Sequence, residues 1–380
     1  MPLLIHTSDV HLGAPLGWLG DKASEQREQL KRTLAAIVDL TISERADCLL
    51  VAGDLFDSVS PPSSAVRFAL KEFGRLAAAG NAEVVVLPGS HDFLDPSSVY
   101  SCYRTEFEGV GNVSILGLDG RATVDLARIG VSVRGAFGAR AGASGVGRSV
   151  LSPHPELPYS IATMHGSVDI VPVAPGDRPI ERSALDAPGW SYFALGHWHS
   201  WREITGTSAP AVYPGAPEVI AMDQTGCGYV ARVELGSGGV SVDRVRIGTR
   251  TLAEAVIDVT GVSDTVQAAA RIRRAVPPAP DAILSLVLEG ILAVDSGLDP
   301  DELTEALKPD YFFVALVARH YRVELADREL DGLPERLVVG RFARLMREKA
   351  GQAASEEERR EIEDALQIGV ALLQGKDVLR

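Results

Sequence analysis

The chain has 380 residues, of which 46% are apolar and 23% are charged, and its formal net charge is −14. A chain of this length predicts two or three domains with a large core. The acidic balance argues against a protein that coats nucleic acid by bulk electrostatics, although it leaves open phosphate contact confined to one basic patch. No apolar run approaches the roughly 20 residues that a membrane span requires, so we expect no membrane partner.

The start of the chain and its cysteines both favour the cytoplasm. Residues 1–11 have neither the basic region nor the long apolar block of a signal peptide, so we expect none. Cys48, Cys102 and Cys227 are far apart and form no CxxC pair. This usage is typical of small buried residues in a reducing compartment, not of a disulfide framework.

The first part of the chain alternates short apolar runs with helical patterns. Glu25 to Glu44 carries a helical stripe of apolar residues, and Pro61 and Pro62 open a second helix. Strands are predicted at Leu3 to His6, Cys48 to Ala52 and Glu83 to Leu87. This alternation predicts a parallel sheet with crossover helices.

Beyond residue 110 the strands follow one another more closely and predict a second, mixed sheet packed on the first. The predicted strands are Val113 to Leu116, Ala122 to Val124, Ile129 to Val133, Ser160 to Met164, Tyr192 to Leu195, Tyr229 to Leu235 and Val240 to Ile247. Gly135 to Ser149 is rich in Gly, Ala and Arg and indicates a mobile loop. Arg140 and Arg148 in this loop are candidates for phosphate contact, with a solvated loop as the alternative.

The pattern changes again near Gly248. Strands at Val256 to Val259, Ala282 to Leu288 and Phe312 to Val317, with a helix from Ser263 to Arg274, predict a small α+β domain. Two helical segments follow Gly332. Ser355 and Glu358 form a capping box, and the helix after it has one apolar face. That face carries Ile362, Leu366, Val370 and Leu373.

Five short segments concentrate Asp and His at the ends of apolar runs. They are Asp9-Val10-His11, Gly53-Asp54, His91-Asp92, His165-Gly166 and Gly196-His197-Trp198-His199. Each follows a predicted strand, and ligands gather at the carboxyl ends of strands in open α/β sheets. A lone DxH is usually a surface turn, but the five segments in order predict a metal site. Their mixed Asp and His donors suit manganese, iron or zinc better than calcium.

The segments SDVHLG, GDLFD, GSHD, MHG and GHWH resemble the motif series of calcineurin-like metallophosphoesterases. DxHLG together with GDLFD and a following SPP is similar to the SbcD branch, the nuclease subunit of a DNA-end-processing complex, and the YhaO-type branch shares the core motifs. The resemblance implies an α/β fold of two packed mixed β-sheets flanked by helices, the αββα sandwich. It implies a nuclease domain over 1–250, an α+β capping or DNA-binding domain over 251–330 and partner-docking helices over 331–380.

The resemblance also implies a dinuclear site for Mn²⁺, with Fe²⁺, Zn²⁺ and Mg²⁺ as alternatives. The implied ligands are Asp9, His11 and His199 for one ion, His165 and His197 for the other, and Asp54 for both. His91 would contact the scissile phosphate or protonate the leaving oxygen, and Asp92 would orient His91. One position departs from the family pattern. Ser90 stands where the family usually has the Asn of GNHD, so whether Ser90 binds the second ion stays open.

Three functions compete at this point. The first is a metal-dependent DNA exonuclease or endonuclease in end processing and repair, acting as a homodimer with an SbcC-like coiled-coil ATPase. The second is a small-molecule phosphodiesterase or phosphatase, and the third is a scaffold with a weakened site. The roughly 130 residues beyond a minimal phosphoesterase argue against the second. The complete Asp and His set argues against the third.

Overall fold

The computed structural model of the chain describes residues 1–80, 82–136, 152–168, 179–293, 296–324 and 330–375. These residues form two compact units, Met1–Thr251 and Leu252–Arg380. Most of the predicted Gly135 to Ser149 loop, including Arg140 and Arg148, lies outside the described residues. Within the described part of the chain, no helix is long and apolar enough to cross a membrane.

The first unit alternates strands and helices along its first half and is mostly strands afterwards. Its strands are β1 (Leu3–Thr7), β2 (Cys48–Ala52), β3 (Glu83–Leu87), β4 (Val113–Ile115), β5 (Thr123–Leu126), β6 (Val131–Ala136), β7 (Tyr159–His165), β8 (Ser167–Val168), β9 (Pro179–Ile180), β10 (Tyr192–Gly196), β11 (Arg202–Ile204), β12 (Ala211–Tyr213), β13 (Tyr229–Gly236) and β14 (Gly239–Arg246). Its α-helices are α1 (Ala23–Ser43), α2 (Ser63–Ala79), α3 (Val99–Cys102) and α4 (Arg104–Val110).

The first sheet has the strand order β14-β13-β1-β2-β3-β4 within the described residues. Strands β1 to β4 pair in parallel, with α1 and α2 as the crossovers between the first three. β13 pairs antiparallel with β1, and β14 pairs antiparallel with β13. Helix α1 buries Leu30, Leu34 and Ile37 of its predicted stripe. The predicted parallel sheet with crossover helices is therefore confirmed.

The second sheet has the order β11-β12-β10-β7-β6-β5 within the described residues and mixes parallel and antiparallel pairs. One apolar core joins the two sheets. It contains Leu50 and Val85 of the first sheet together with Val133, Ile161 and Ala194 of the second. Burial of these side chains removes apolar surface from water and fixes the spacing of the sheets. The predicted class, two packed mixed sheets flanked by helices, is confirmed.

The second unit is built on a three-stranded sheet of order β15-β16-β17 within the described residues. Its elements are β15 (Thr251–Asp258), α5 (Thr265–Ala275), β16 (Ala279–Ala293), α6 (Pro300–Leu307), β17 (Tyr311–Glu324), α7 (Val338–Gly351) and α8 (Glu356–Leu373). Strands β16 and β17 are longer than predicted. The Ser355 hydroxyl accepts from the Glu358 N–H at 3.1 Å, as the predicted capping box requires. The separation of this unit into a capping domain and docking helices stays a prediction.

Candidate metal centre

The side chains of the five motifs lie at the ends of strands in both sheets. Asp9 follows β1, Asp54 follows β2, His165 ends β7 and His197 follows β10. Asp9, His11, Asp54 and His197 have positive φ angles of 53°, 50°, 53° and 104°. A residue other than glycine rarely adopts this backbone region, and such strain concentrates at functional sites. The sharp turns direct side chains from two sheets toward one another.

Asp9, His11 and His199 form a first group of candidate ligands, and their ligand atoms lie within 4.8 Å of one another. His11 meets the same criterion with Asp57 and His91. The His11 Nδ1 donates to the Asp57 carboxylate at 2.9 Å. The His11 Nε2 is buried and has no hydrogen-bond partner among the described residues. A proton fixed on Nδ1 leaves the Nε2 lone pair for a cation, and a carboxylate in this position is a common support for a metal-binding imidazole.

Asp54, His165 and His197 form the second group, also within 4.8 Å of one another. The His165 Nδ1 donates to the Ala52 carbonyl at 2.9 Å, which again leaves Nε2 for a cation. Asp54 Oδ2 lies 3.0 Å from His165 Nε2 and 3.9 Å from His11 Nε2. The Asp54 carboxylate therefore stands between the two groups, where a bridging ligand belongs.

The electrostatics of the second group fit a bound cation. Burial alone would raise the pKa of Asp54, but the imidazoles of His165 and His11 lower it well below its usual value. Burial alone would lower the pKa of His165, but attraction to the Asp54 carboxylate outweighs it and raises the pKa to about 9. The carboxylate thus holds a proton on His165. A divalent ion bound to this group would replace that proton, because a ligating imidazole nitrogen carries none.

Ser90 lies at the second group. Its hydroxyl donates to Asp54 Oδ2 at 2.9 Å, and its oxygen is 3.3 Å from His165 Nε2. The serine oxygen is therefore adjacent to two of the predicted ligands of the second ion, although the serine side chain is shorter than the asparagine of the family pattern. Whether Ser90 binds that ion stays a prediction.

His91 is exposed at the edge of both groups. Its backbone N–H donates to Asp54 Oδ1 at 2.8 Å, and its Nδ1 donates to the Asp57 carbonyl at 3.0 Å. Its ring centroid lies 4.8 Å from that of His11. His91 is thus held next to the first group while its side chain stays accessible to a substrate.

The predicted contact between Asp92 and His91 is wrong. The Asp92 carboxylate is buried and accepts from the N–H groups of Phe56 and Gly89 at 3.0 and 2.7 Å, and from the Tyr100 hydroxyl at 2.6 Å. Asp92 therefore holds the turn that carries Ser90 and His91. The Asp57 backbone, not Asp92, orients the His91 ring.

Three glycines that the sequence reasoning left without a role allow the strand ends to meet. A Cβ added at Gly53 would lie 2.0 Å from His165 Nδ1, and one at Gly89 would lie 2.1 Å from Asp54 Oδ1. One at Gly196 would lie 1.8 Å from the Ala52 carbonyl oxygen. All three distances are far inside van der Waals contact, so each position requires glycine. The signal was present in the sequence, because each glycine closely precedes a motif residue.

Gln224 is a further residue of the site that the sequence did not indicate. Its Oε1 accepts from the backbone N–H groups of Ile220 and Ala221, both at 3.2 Å. Its Nε2 donates to His199 Nδ1. The amide thereby orients His199, the most exposed member of the first group. No local pattern marks Gln224, because it lies 25 residues along the chain from its partner.

Two other residues near the site have structural roles. His6 is fully buried in β1 and hydrogen-bonded to the Tyr192 hydroxyl at 2.9 Å, and burial lowers its pKa to about 3. Trp198 packs against a core cluster on the second sheet. Both side chains therefore support the fold beside the site.

The chain belongs to the calcineurin-like phosphoesterase family, because residues 2–201 match the model of that family. This membership, together with the two Asp and His groups, makes it a metal-dependent hydrolase.

Relatives with more specific names are similar at modest identity. The DNA double-strand break repair protein Mre11 of Methanopyrus kandleri is 27% identical over 356 residues, covering 87% of this chain and 73% of its own. The uncharacterized metallophosphoesterase YhaO of Bacillus subtilis is 26% identical over 264 residues, covering 67% of this chain. The match spans 63% of YhaO's own length. The SbcD component of the SbcCD nuclease of Bacillus subtilis is 34% identical over 98 residues, or 26% of this chain and 24% of its own.

The position of Ser90 leads to a prediction about metal loading. A carbonyl oxygen is a better ligand than a hydroxyl, so Ser90→Asn should tighten the weaker of two metal sites by roughly tenfold to a hundredfold. Ser90→Ala, the matched control, should weaken that site or leave it unchanged. Calorimetric titration of metal-free protein with Mn²⁺ measures both. Two equally tight sites in the native chain, with no gain in the Asn variant, would contradict the prediction.

Proposed function

We propose that the chain is a DNA nuclease that hydrolyses phosphodiester bonds in end processing and repair. The carrying observation is the Asp54 carboxylate, which stands between two groups of metal-ligand residues. The second support is the similarity to a DNA double-strand break repair protein over 87% of the chain. That similarity extends past the phosphoesterase match at residues 2–201 into the second unit.

In this proposal the two groups hold one divalent ion each. Asp54 would be shared by both ions, and Ser90 would adjoin the second. Mn²⁺ is the first candidate, with Fe²⁺, Zn²⁺ and Mg²⁺ as alternatives, because the donors mix nitrogen and carboxylate oxygen. Two such ions lower the pKa of a bound water and stabilise the attacking and leaving oxygens of an in-line displacement.

The chain's own residues supply position and a proton. The His91 Nδ1 donates to the Asp57 carbonyl, so its Nε2 is the nitrogen left for the substrate. In its imidazolium form, which has a proton on each ring nitrogen, His91 would contact the scissile phosphate through the Nε2–H or give that proton to the leaving oxygen. Asp57 fixes both His11 and His91, through its carboxylate and its carbonyl respectively. Asp57 therefore links the positions of the two imidazoles.

The alternatives are weaker but testable. A small-molecule phosphodiesterase would have the same metal groups and no need of the second unit. A scaffold with a weakened site would have no reason to keep six ligand residues in two compact groups.

Asp54→Asn tests the function directly. Wild-type chain with Mn²⁺ should degrade linear duplex or single-stranded DNA, and Asp54→Asn should reduce the rate by at least roughly a hundredfold, since it weakens both ions at once. Asp39→Asn, the same change at an exposed carboxylate on α1, should have no effect. Hydrolysis of bis(p-nitrophenyl) phosphate without cleavage of DNA would favour the small-molecule alternative. Hydrolysis of neither would favour the scaffold.

His91→Ala separates chemistry from metal binding. We expect the variant to keep both ions, because the ring nitrogens are not needed to hold them, and to lose roughly a hundredfold in rate as a general acid or phosphate contact is removed. Metal content by atomic absorption and cleavage rate by gel assay measure the two effects. His197→Ala is the comparison, because it should lose metal. A metal loss in His91→Ala as large as in His197→Ala would overturn the role.

We propose further that the C-terminal helices bind a coiled-coil ATPase of the SbcC type, and that the chain works in the cytoplasm as a homodimer. Leu366 and Val370 of the predicted apolar face pack against α7, so the chain covers part of that face itself. Other apolar side chains remain uncovered, among them Leu345 on α7 and Leu372 on α8, which are 56% and 49% exposed. Such helices fit a partner's groove or coiled coil.

The partner proposal predicts the effect of negative charge at Leu345 and Leu372. Leu345→Glu combined with Leu372→Glu should reduce recovery of the chain on a co-expressed, tagged SbcC-like ATPase by at least tenfold, because a buried unpaired carboxylate opposes association. Val266→Glu, at an exposed apolar position of α5, is the matched control. These substitutions are preferable to removal of α8, which would uncover α7. Equal recovery of both variants would contradict the proposal.

A further inference from the structure

We propose that Arg244, Tyr229 and Trp201 form a site for a backbone phosphate of the DNA strand that enters the metal centre. The inference rests on the proposed function for the choice of ligand. The cluster lies in the first unit and is separate from the two groups of metal-ligand residues. We call it the arginine–aromatic site.

Arg244 is held by the two rings. Its guanidinium carbon lies 3.6 Å from the centroid of Tyr229 and 5.4 Å from that of Trp201. The rings themselves are 6.4 Å apart at 69°. A guanidinium stacked on an aromatic face keeps its N–H donors at the edge of its plane, where they can form a fork of hydrogen bonds. Stacking on the rings therefore fixes the orientation of the Arg244 N–H groups and leaves them able to donate hydrogen bonds to an anion.

The guanidinium of Arg244 has different partners from the guanidinium groups of the neighbouring arginines. Arg246, two residues along β14, donates to the carbonyls of Gly248, Cys227 and Arg250. Arg232 pairs with Glu44, Glu234 and Asp243. Among the described residues, by contrast, the Arg244 guanidinium contacts the two rings and pairs with no carboxylate. Arg244 is also exposed, so its donors are accessible to an anion.

An acidic side chain in contact with the site has its partner in the indole of Trp201. Glu203 accepts from the Trp201 indole N–H at 3.2 Å. That bond fixes the indole and accounts for the position of the carboxylate. Glu203 thus helps to build the arginine–aromatic site.

The strand register places the site beside the metal centre. His6 of β1 pairs with Ala231 of β13, and Ala231 pairs with Arg244 of β14, so the three lie in one row across the sheet. With about 4.8 Å between strands, the Arg244 backbone is roughly 10 Å from that of His6. Asp9 lies three residues beyond His6, and Trp201 lies two residues beyond His199. The site is therefore linked to the first metal group by two short stretches of chain, from His6 to Asp9 and from His199 to Trp201.

The chemistry fits a nucleic-acid backbone. Arginine matches phosphate oxygens with two parallel hydrogen bonds, and aromatic rings beside it favour nucleic acid over a free anion. Arg244 lies in the same row of the sheet as His6, and Asp9 is three residues further along the chain, so a strand several nucleotides long that enters the centre can also reach the site. A small phosphodiester that fills only the centre cannot.

Binding of an uncleavable strand tests the site. The chain with Mn²⁺ is titrated into a labelled phosphorothioate oligonucleotide, single-stranded in one arm and duplex in the other. Kd is read by anisotropy from about 0.05 to about 0.3 M salt, over which the Debye length falls from about 14 to about 6 Å. Arg244→Ala should weaken binding by about tenfold, as loss of a charge-assisted contact does. The slope of log Kd against log salt should fall by about one. The more affected arm identifies the form of the strand.

Two further variants make the result decisive. Arg244→Lys keeps the charge and loses the planar fork, so it should weaken binding by about threefold with an unchanged salt slope. Arg232→Ala, which removes a charge from an adjacent strand, should bind like the native chain. Native binding by Arg244→Ala overturns the inference, as does equal weakening of Arg244→Ala and Arg232→Ala. If the Ala variant does not fold, native affinity in Arg244→Lys overturns it.

The outcome is distinguishable from failure of the proposed function. If the native chain binds the strand through Arg244 but cuts no DNA, the nuclease proposal is contradicted and the arginine–aromatic site is supported. A native chain that cuts DNA, with the same Kd in Arg244→Ala, would sink the site alone.

Discussion

The arrangement of the centre depends on one buried carboxylate. Asp54 accepts from the Ser90 hydroxyl and the His91 N–H, and it lies 3.0 Å from His165 Nε2. An unpaired charge is costly to bury, so Asp54 is stable in this position only with positive charge or donors around it. Gly53 and Gly89 leave the space that those neighbours need. The turns of two sheets therefore assemble around this side chain.

The centre exists only because two sheets are packed together. The first sheet contributes Asp9 and Asp54, and the second contributes His165 and His197. The apolar core between them sets the distance across which these side chains meet. Interiors are close-packed, so a change of volume in that core is felt at the strand ends. The packing of this core therefore affects both the stability of the unit and the distances between the candidate metal ligands.

The sequence predicted the features that depend on local pattern. Apolar runs marked β1 to β3, and the Asp and His segments marked the strand ends that meet. Features that depend on distant pairing were missed. Strands β11 and β12, of three residues each, are too short for a periodic signal. The Asp92 contact was wrong because the fold brings the Asp57 carbonyl to His91 and the Tyr100 hydroxyl to Asp92.

The sequence also predicts the total charge of the chain without predicting which charged side chains the fold pairs. A net charge of −14 does not reveal which cations remain available to a polyanion, because that depends on which arginines the fold has already paired. Arg75, Arg232 and Arg273 face carboxylates. Arg244 instead lies on the rings of Tyr229 and Trp201. An acidic surface repels a phosphate strand everywhere except where unpaired positive charge accumulates. If the proposed function holds, such an arginine and the metal ions would together determine where a strand approaches this acidic chain.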